Sequence, residues 1–301
     1  MRFRSIYEPI VALGRSVAGR LLLVSAFALA PGAIDAAGAE GPVEGPRTAL
    51  KVCADPHNLP SSDEGLGGYE NKIAQMFADD LKLPIEYTWF PQRMGFIRNT
   101  LRSTETEGGG FKCDIVMSVP ANFELAATTK PYYRSAWVMV YVKGRGMDDV
   151  RSAQDLVGLP PERKKALRIG LFDRSPAALW VATHGLMEQA VPYPIMSGDP
   201  RAYPGEILEK DLVGDTINVT FVWGPIAGYY AKRIKGHEAK GHELVVIPMA
   251  SEPGIQFDFA IAMAVRHGEK AWKDQVQGLI DKHRADIRAI LLDYGVPLLE
   301  D

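Results

Sequence analysis

Along the chain, short apolar runs alternate with stretches whose apolar residues recur every three to four positions, the pattern of parallel strands joined by crossover helices. Residues 50–55 read as a first strand. Ile73, Phe77 and Leu81, with Ala74 and Ala78 beside them, then predict a helix over 69–81. Ile85, Tyr87 and Trp89 alternate as a second strand, a helix is predicted over 94–102, and 114–117 is a third strand, completing one βαβαβ unit. A strongly apolar strand follows at 136–142 and is broken at Gly144, Arg145 and Gly146.

Beyond that break the pattern starts again. A helical turn at 153–156 precedes a strand at 166–172, and Ser175 with Pro176 forms an N-cap and first-turn pair for a helix to about His184. Helices are predicted over 205–213 and 225–233, strands over 218–223 and 244–248. The apolar segment 257–265 returns the chain to its first half, where helices over 270–283 and 285–294 close it, with Gly295 as C-cap. The expectation is an α/β chain of two lobes, each a mainly parallel sheet with flanking helices, joined by two crossings. Lobe I is expected to hold 40–142 and 257–301, and lobe II 143–256.

The N-terminus breaks this pattern. Its longest clean apolar run, residues 21–30, has ten residues, whereas a helix needs about 20 to span a bilayer. Arg2, Arg4, Arg15 and Arg20 precede it, and Ala37, Gly38 and Ala39 before Glu40 fit the small-x-small rule of secretory cleavage. A signal peptide over 1–39 is expected, with the mature protein in the periplasm and no membrane span. The 34 Lys and Arg against 37 Asp and Glu form no basic stripe, so nucleic acid is not an expected partner.

Export gives the two cysteines a meaning, because an oxidising compartment turns an even count into a disulfide. Cys53 and Cys113 stand at the starts of neighbouring apolar runs, and a bond between them closes a loop of about 60 residues. Catalytic motifs fail on spacing. In the set Gly65, Gly67, Gly68, the third glycine of a dinucleotide fingerprint is replaced by Glu70. His237, Glu238 and His242 place the second histidine one residue too far along for a zinc-protease helix. No nucleophile elbow, phosphate loop or cation loop is present in the sequence. No catalytic residue, metal or cofactor is expected, and the chain reads as a non-enzyme.

The strings VCADPHNLP (52–60), PQRMGFIRNTLR (91–102), CDIVMSVPANFE (113–124) and TKPYYRS (129–135) carry a resemblance. Over nearly the whole mature chain the layout resembles the type II periplasmic solute-binding fold. The strings are similar to those of its quinoprotein-dehydrogenase-associated subgroup, the J proteins of methanol-oxidation clusters (MoxJ or XoxJ type). The resemblance implies two lobes closing on a cleft. It also implies an accessory role toward a methanol dehydrogenase dependent on pyrroloquinoline quinone (PQQ), and its cytochrome c as a further partner.

Set against amino-acid-binding members of that fold, three contacts are missing. Leu59, Pro60, Ser61 and Ser62 stand where an aromatic ring would stack on the ligand. Asn122 stands at the position of the carboxylate-gripping arginine, and Trp223 at that of the ammonium-binding aspartate. The expected cleft is instead aromatic and cationic, lined by Asp55, His57, Trp89, Arg93, Ser118, Asn122, Tyr132, Tyr133, Arg134, Trp180 and Trp223, most of them at strand ends where α/β folds place their sites. Trp89 and Tyr133 also fit core positions, and Arg134 also fits an ion pair with a neighbouring carboxylate. Two functions follow: an accessory protein that supports maturation or activation of the dehydrogenase, or the solute-binding component of an importer for a small ligand other than an amino acid.

Overall fold

The computed structural model describes residues 46–107, 109–194, 199, 201–236 and 241–300. The expected signal peptide, and His237 and Glu238, lie outside the described residues. β1 (Leu50–Ala54) runs parallel to β4 (Ile85–Trp89) on one side and to β5 (Ile115–Pro120) on the other. Between β1 and β4 come a short hairpin, β2 (His57–Asn58) and β3 (Ser62–Asp63), and then α1 (Tyr69–Leu81). The apolar stripe of α1, with Ile73, Ala74, Phe77 and Ala78 buried, covers this sheet together with α7 (Lys270–Lys282) and α8 (Arg284–Asp293).

The sheet is not parallel throughout. β12 (Asp258–Val265) inserts antiparallel between β5 and β7 (Tyr133–Val142), and two-residue β6 (Ala127–Thr128) pairs with its end. β7 changes partner within its length. Tyr133 to Ala136 pair with β12, whereas Trp137 to Val140 pair with β10 (Val219–Trp223). From β10 the second sheet continues in parallel through β8 (Ile169–Phe172) to β9 (Ala190–Tyr193), and β11 (Leu244–Pro248) pairs antiparallel on the other side of β7. Alternation along β7 builds two cores at once: Met139 and Tyr141 enter one cluster, and Val138, Val140 and Val142 the other.

Helical signals differ in how well they match. α5 (Pro176–Thr183) starts as the sequence predicts, with Ser175 Oγ accepting the Ala178 N–H at 3.2 Å. α3 (Ala153–Gly158) is followed by α4 (Pro161–Lys165), which the apolar pattern misses because it buries nothing. The helix predicted over 94–102 is one turn, α2 (Phe96–Asn99), entered through Gly95 at φ +89°. The helix predicted over 205–213 is a π-helical segment, Ile207–Leu212, with Val213 N–H bonded to the Leu208 carbonyl at 3.2 Å, five residues back. β9 contains Pro192, which a strand tolerates at a sheet edge.

Two features hold the site region together. Cys53 in β1 and Cys113 just before β5 form a disulfide, Cα atoms 5.3 Å apart, inside a cluster with Phe96, Leu101 and Val116. On the second sheet, α6 (Gly224–Gly236) meets the chain beyond α8 so closely that a Cβ on Gly228 would lie 1.8 Å from the Gly295 carbonyl oxygen. Lys232 of α6 donates to the Leu292 and Asp293 carbonyls, capping the negative end of α8.

Candidate functional site

The carboxyl ends of β1, β4 and β5 gather a connected set of polar groups. Asp55 follows β1; its carboxylate accepts the His57 N–H at 2.9 Å and the Gln92 N–H, so one side chain ties the loop after β1 to the loop after β4. Ser118, on β5, shares a hydrogen bond of 2.9 Å with the Tyr132 hydroxyl, which also donates to the Met117 carbonyl. Ser61 Oγ donates to the Tyr69 hydroxyl at 3.0 Å, and Tyr69 and Tyr133 share a further bond of 3.2 Å. The chain of hydroxyls thus runs from the first loop through α1 to β7.

Glu70 stands beside this chain in the first turn of α1. Only 7% exposed, its Oε1 has no hydrogen-bond partner among the described residues. Burial pushes its carboxyl up to about 7; the Ser118 and Ser61 hydroxyls work against the rise, and the charge of Asp55 adds to it. Burial likewise raises the Tyr69 phenol to about 12 and those of Tyr132 and Tyr133 well above their usual range, so all three are neutral donors at physiological pH. Trp89, the last residue of β4, stacks on Tyr87 with centroids 4.7 Å apart. The set can donate hydrogen bonds and offer one proton-holding acid; it presents no cation.

The remaining candidates are dispersed. His57 lies on the β2–β3 hairpin and lines a cavity of about 340 Å3. The facing wall comes from the π-helical segment, the loop before it and α6: Tyr203, Glu209, Tyr230 and Arg233, with the Tyr203 hydroxyl donating to Glu209 at 2.9 Å and Arg233 3.8 Å from the same carboxylate. Arg93 and Asn122 are exposed on the turns after β4 and β5. Arg134 pairs with Asp258 at 2.6 Å across β7 and β12. Trp223 ends β10 half-buried, edge-on to Phe259 at 6.0 Å and in register with Trp137.

Trp180 does not line a cleft. It is 1% exposed in the second sheet's core, its indole N–H donating to Glu252 at 2.8 Å, because helix periodicity turns it inward with Ala177 and Val181. Conversely, sequence reasoning misses Ser61, Tyr69 and Glu70. An acid in a helix's first turn reads as an ordinary partner of the helix dipole, and only its place at the carboxyl ends of parallel strands marks it as different. Tyr203, Glu209, Tyr230 and Arg233 carry no sequence signal, since their cavity exists only when two distant segments meet. Among the described residues no group of three or more His, Cys, Asp or Glu is placed to hold a metal ion, and no helix is long and apolar enough to cross a membrane.

A sheet whose strands end at a polar cluster, with one strand carried into a second sheet, is the plan of type II periplasmic binding proteins. The likeness extends to an ancestral cationic amino acid solute-binding protein (TM-score 0.60, 17% identity, 82% of this chain and 96% of that one). No protein-family model matches the chain. A much closer sequence likeness is to the periplasmic binding protein XoxJ from Methylobacterium extorquens AM1, at 33% identity and TM-score 0.65 over 84% of this chain and 100% of that one. MoxJ of Methylorubrum extorquens is 24% identical over 261 residues, 83% of this chain and 81% of that protein. The chain spans only 34% of a second MoxJ, from Paracoccus denitrificans, at 31% identity, and 55% of an uncharacterized protein of the cycB 3' region of the same organism, at 52% identity over 46 residues. The chain belongs to the XoxJ/MoxJ-type family of periplasmic binding proteins.

Proposed function

We propose that the protein is a non-enzymatic periplasmic accessory protein that binds a PQQ-dependent methanol dehydrogenase and supports its maturation or activation. The observation that carries this reading is the 33% identity to XoxJ over that protein's whole length. The strand-end site agrees with it. With Asn122 exposed on a turn and Trp223 packed edge-on against Phe259, neither charged clamp for an amino acid is present at those positions, while aromatic side chains, which anchor protein interfaces, remain at the strand ends. The test is retention: the tagged protein, expressed in a methanol-grown host and purified from periplasmic extract, is expected to bring down the dehydrogenase in amounts that survive moderate salt. Recovery of the protein without any quinoprotein would overturn the reading.

One observation favours a second reading, a solute-binding component of an importer for a small ligand that is not an amino acid. The His57 cavity, about 340 Å3, falls in the size range of small-molecule sites and is walled from both sheets. A captured solute at 100 times its dissociation constant adds about 2.7 kcal/mol of stability, so a metabolite screen by thermal shift separates the two readings.

A further inference from the structure

Away from the strand-end cluster, a second concavity of about 190 Å3 lies where α8 faces the start of β7 and the chain's last described segment. Arg284 and Arg288, one turn apart on α8, and Arg134 of β7 line it, and no carboxylate does. Arg134 and Arg284 each have an ion-pair partner, Asp258 and Asp281, that is not part of the wall. Each guanidinium carries five N–H donors, so one carboxylate partner leaves donors over. Arg288 makes no hydrogen bond or ion pair with a described residue.

The other lining residues are uncharged: Leu291, Leu298 and Leu299 with Pro131, and Tyr132 and Tyr133, whose hydroxyls are taken up by Ser118 and Tyr69. The outer wall is tied down, because the Leu299 N–H donates to the Arg134 carbonyl at 3.0 Å and Ser135 Oγ to the Pro297 carbonyl at 2.7 Å.

We propose that this cavity binds a small organic carboxylate, gripped by Arg288 with Arg134 and Arg284 beside it. Guanidinium forks match carboxylate oxygens two at a time. At about 30 Å3 per water, the space equals about six waters, room for a short carbon skeleton against the leucine and tyrosine surface. Inorganic phosphate would satisfy the arginines but leave the apolar wall uncovered, which makes the carbon part a determinant of affinity.

Calorimetric titration of the full chain with succinate, inorganic phosphate and succinamide tests this. Succinate is expected to bind saturably with a dissociation constant below about 1 mM, phosphate at least about tenfold more weakly, and uncharged succinamide not at all. Arg288→Ala should weaken succinate binding by about tenfold or more at unchanged melting temperature, since the residue is exposed and unbonded, and Arg288→Lys should restore only part, having charge without the fork. Absence of saturable succinate binding, equal affinity for phosphate, or full binding by Arg288→Ala would each overturn the proposal.

Discussion

Glu70 holds its proton in a way that stability measurements can read. The folded chain keeps that proton up to about pH 7, while an unfolded glutamate releases it near 4.5, so between these values the folded state binds more protons and stability falls as pH rises. At about 1.4 kcal/mol per pH unit, the span amounts to about 3 kcal/mol. Urea unfolding at pH 4.5 and 7.5 should therefore show the parent losing stability relative to Glu70→Gln across this window; parallel profiles would contradict the assignment. Two of the three tryptophans expected in the cleft separate in the same experiment. Trp180→Ala removes a core indole and its bond to Glu252 and should cost about 3–5 kcal/mol. Trp223→Ala, at a half-buried strand end, should cost clearly less. At this scale the sequence marks which residues are chemically able to act but not which way they point. Trp180 and Trp223 look alike in the chain, and a half-turn of helix decides that one is core.

Elements with a strong apolar period, such as α1 and α7, are legible to within a residue or two, because one face must be buried whatever surrounds it. Elements held by something other than burial periodicity are not. α4 buries nothing, β9 carries a proline at an edge, and the π-helical segment adds a residue to its turn without altering the hydrophobic count. The disulfide is legible from export and parity, and it joins β1 to the residue two positions before β5, the strand that pairs parallel with β1. Because the bond closes a loop of 60 residues, Cys53→Ala with Cys113→Ala should lower unfolding free energy by about 4 kcal/mol if loop entropy dominates. Denaturant midpoints of the double variant and the parent check this, and equal midpoints would show that the cluster around Phe96 and Leu101 holds the strands unaided.

For the whole molecule, the α/β character is readable, but the antiparallel insertion of β12 and the change of partner inside β7 are not. Both depend on which strands become neighbours, which local pattern leaves open. The same holds for the His57 cavity, whose walls come from segments about 140 residues or more apart in the chain. Family membership rests on a likeness to XoxJ over 84% of this chain and 100% of that one, and the function proposed from it is a binding-protein scaffold that serves an enzyme. The direct measurement is reconstitution. A PQQ-dependent methanol dehydrogenase isolated without this protein is incubated with PQQ in its presence and absence, and specific activity is recorded. Activity is expected to rise and to saturate with added protein; activity that is the same at every concentration of added protein would overturn the proposed role.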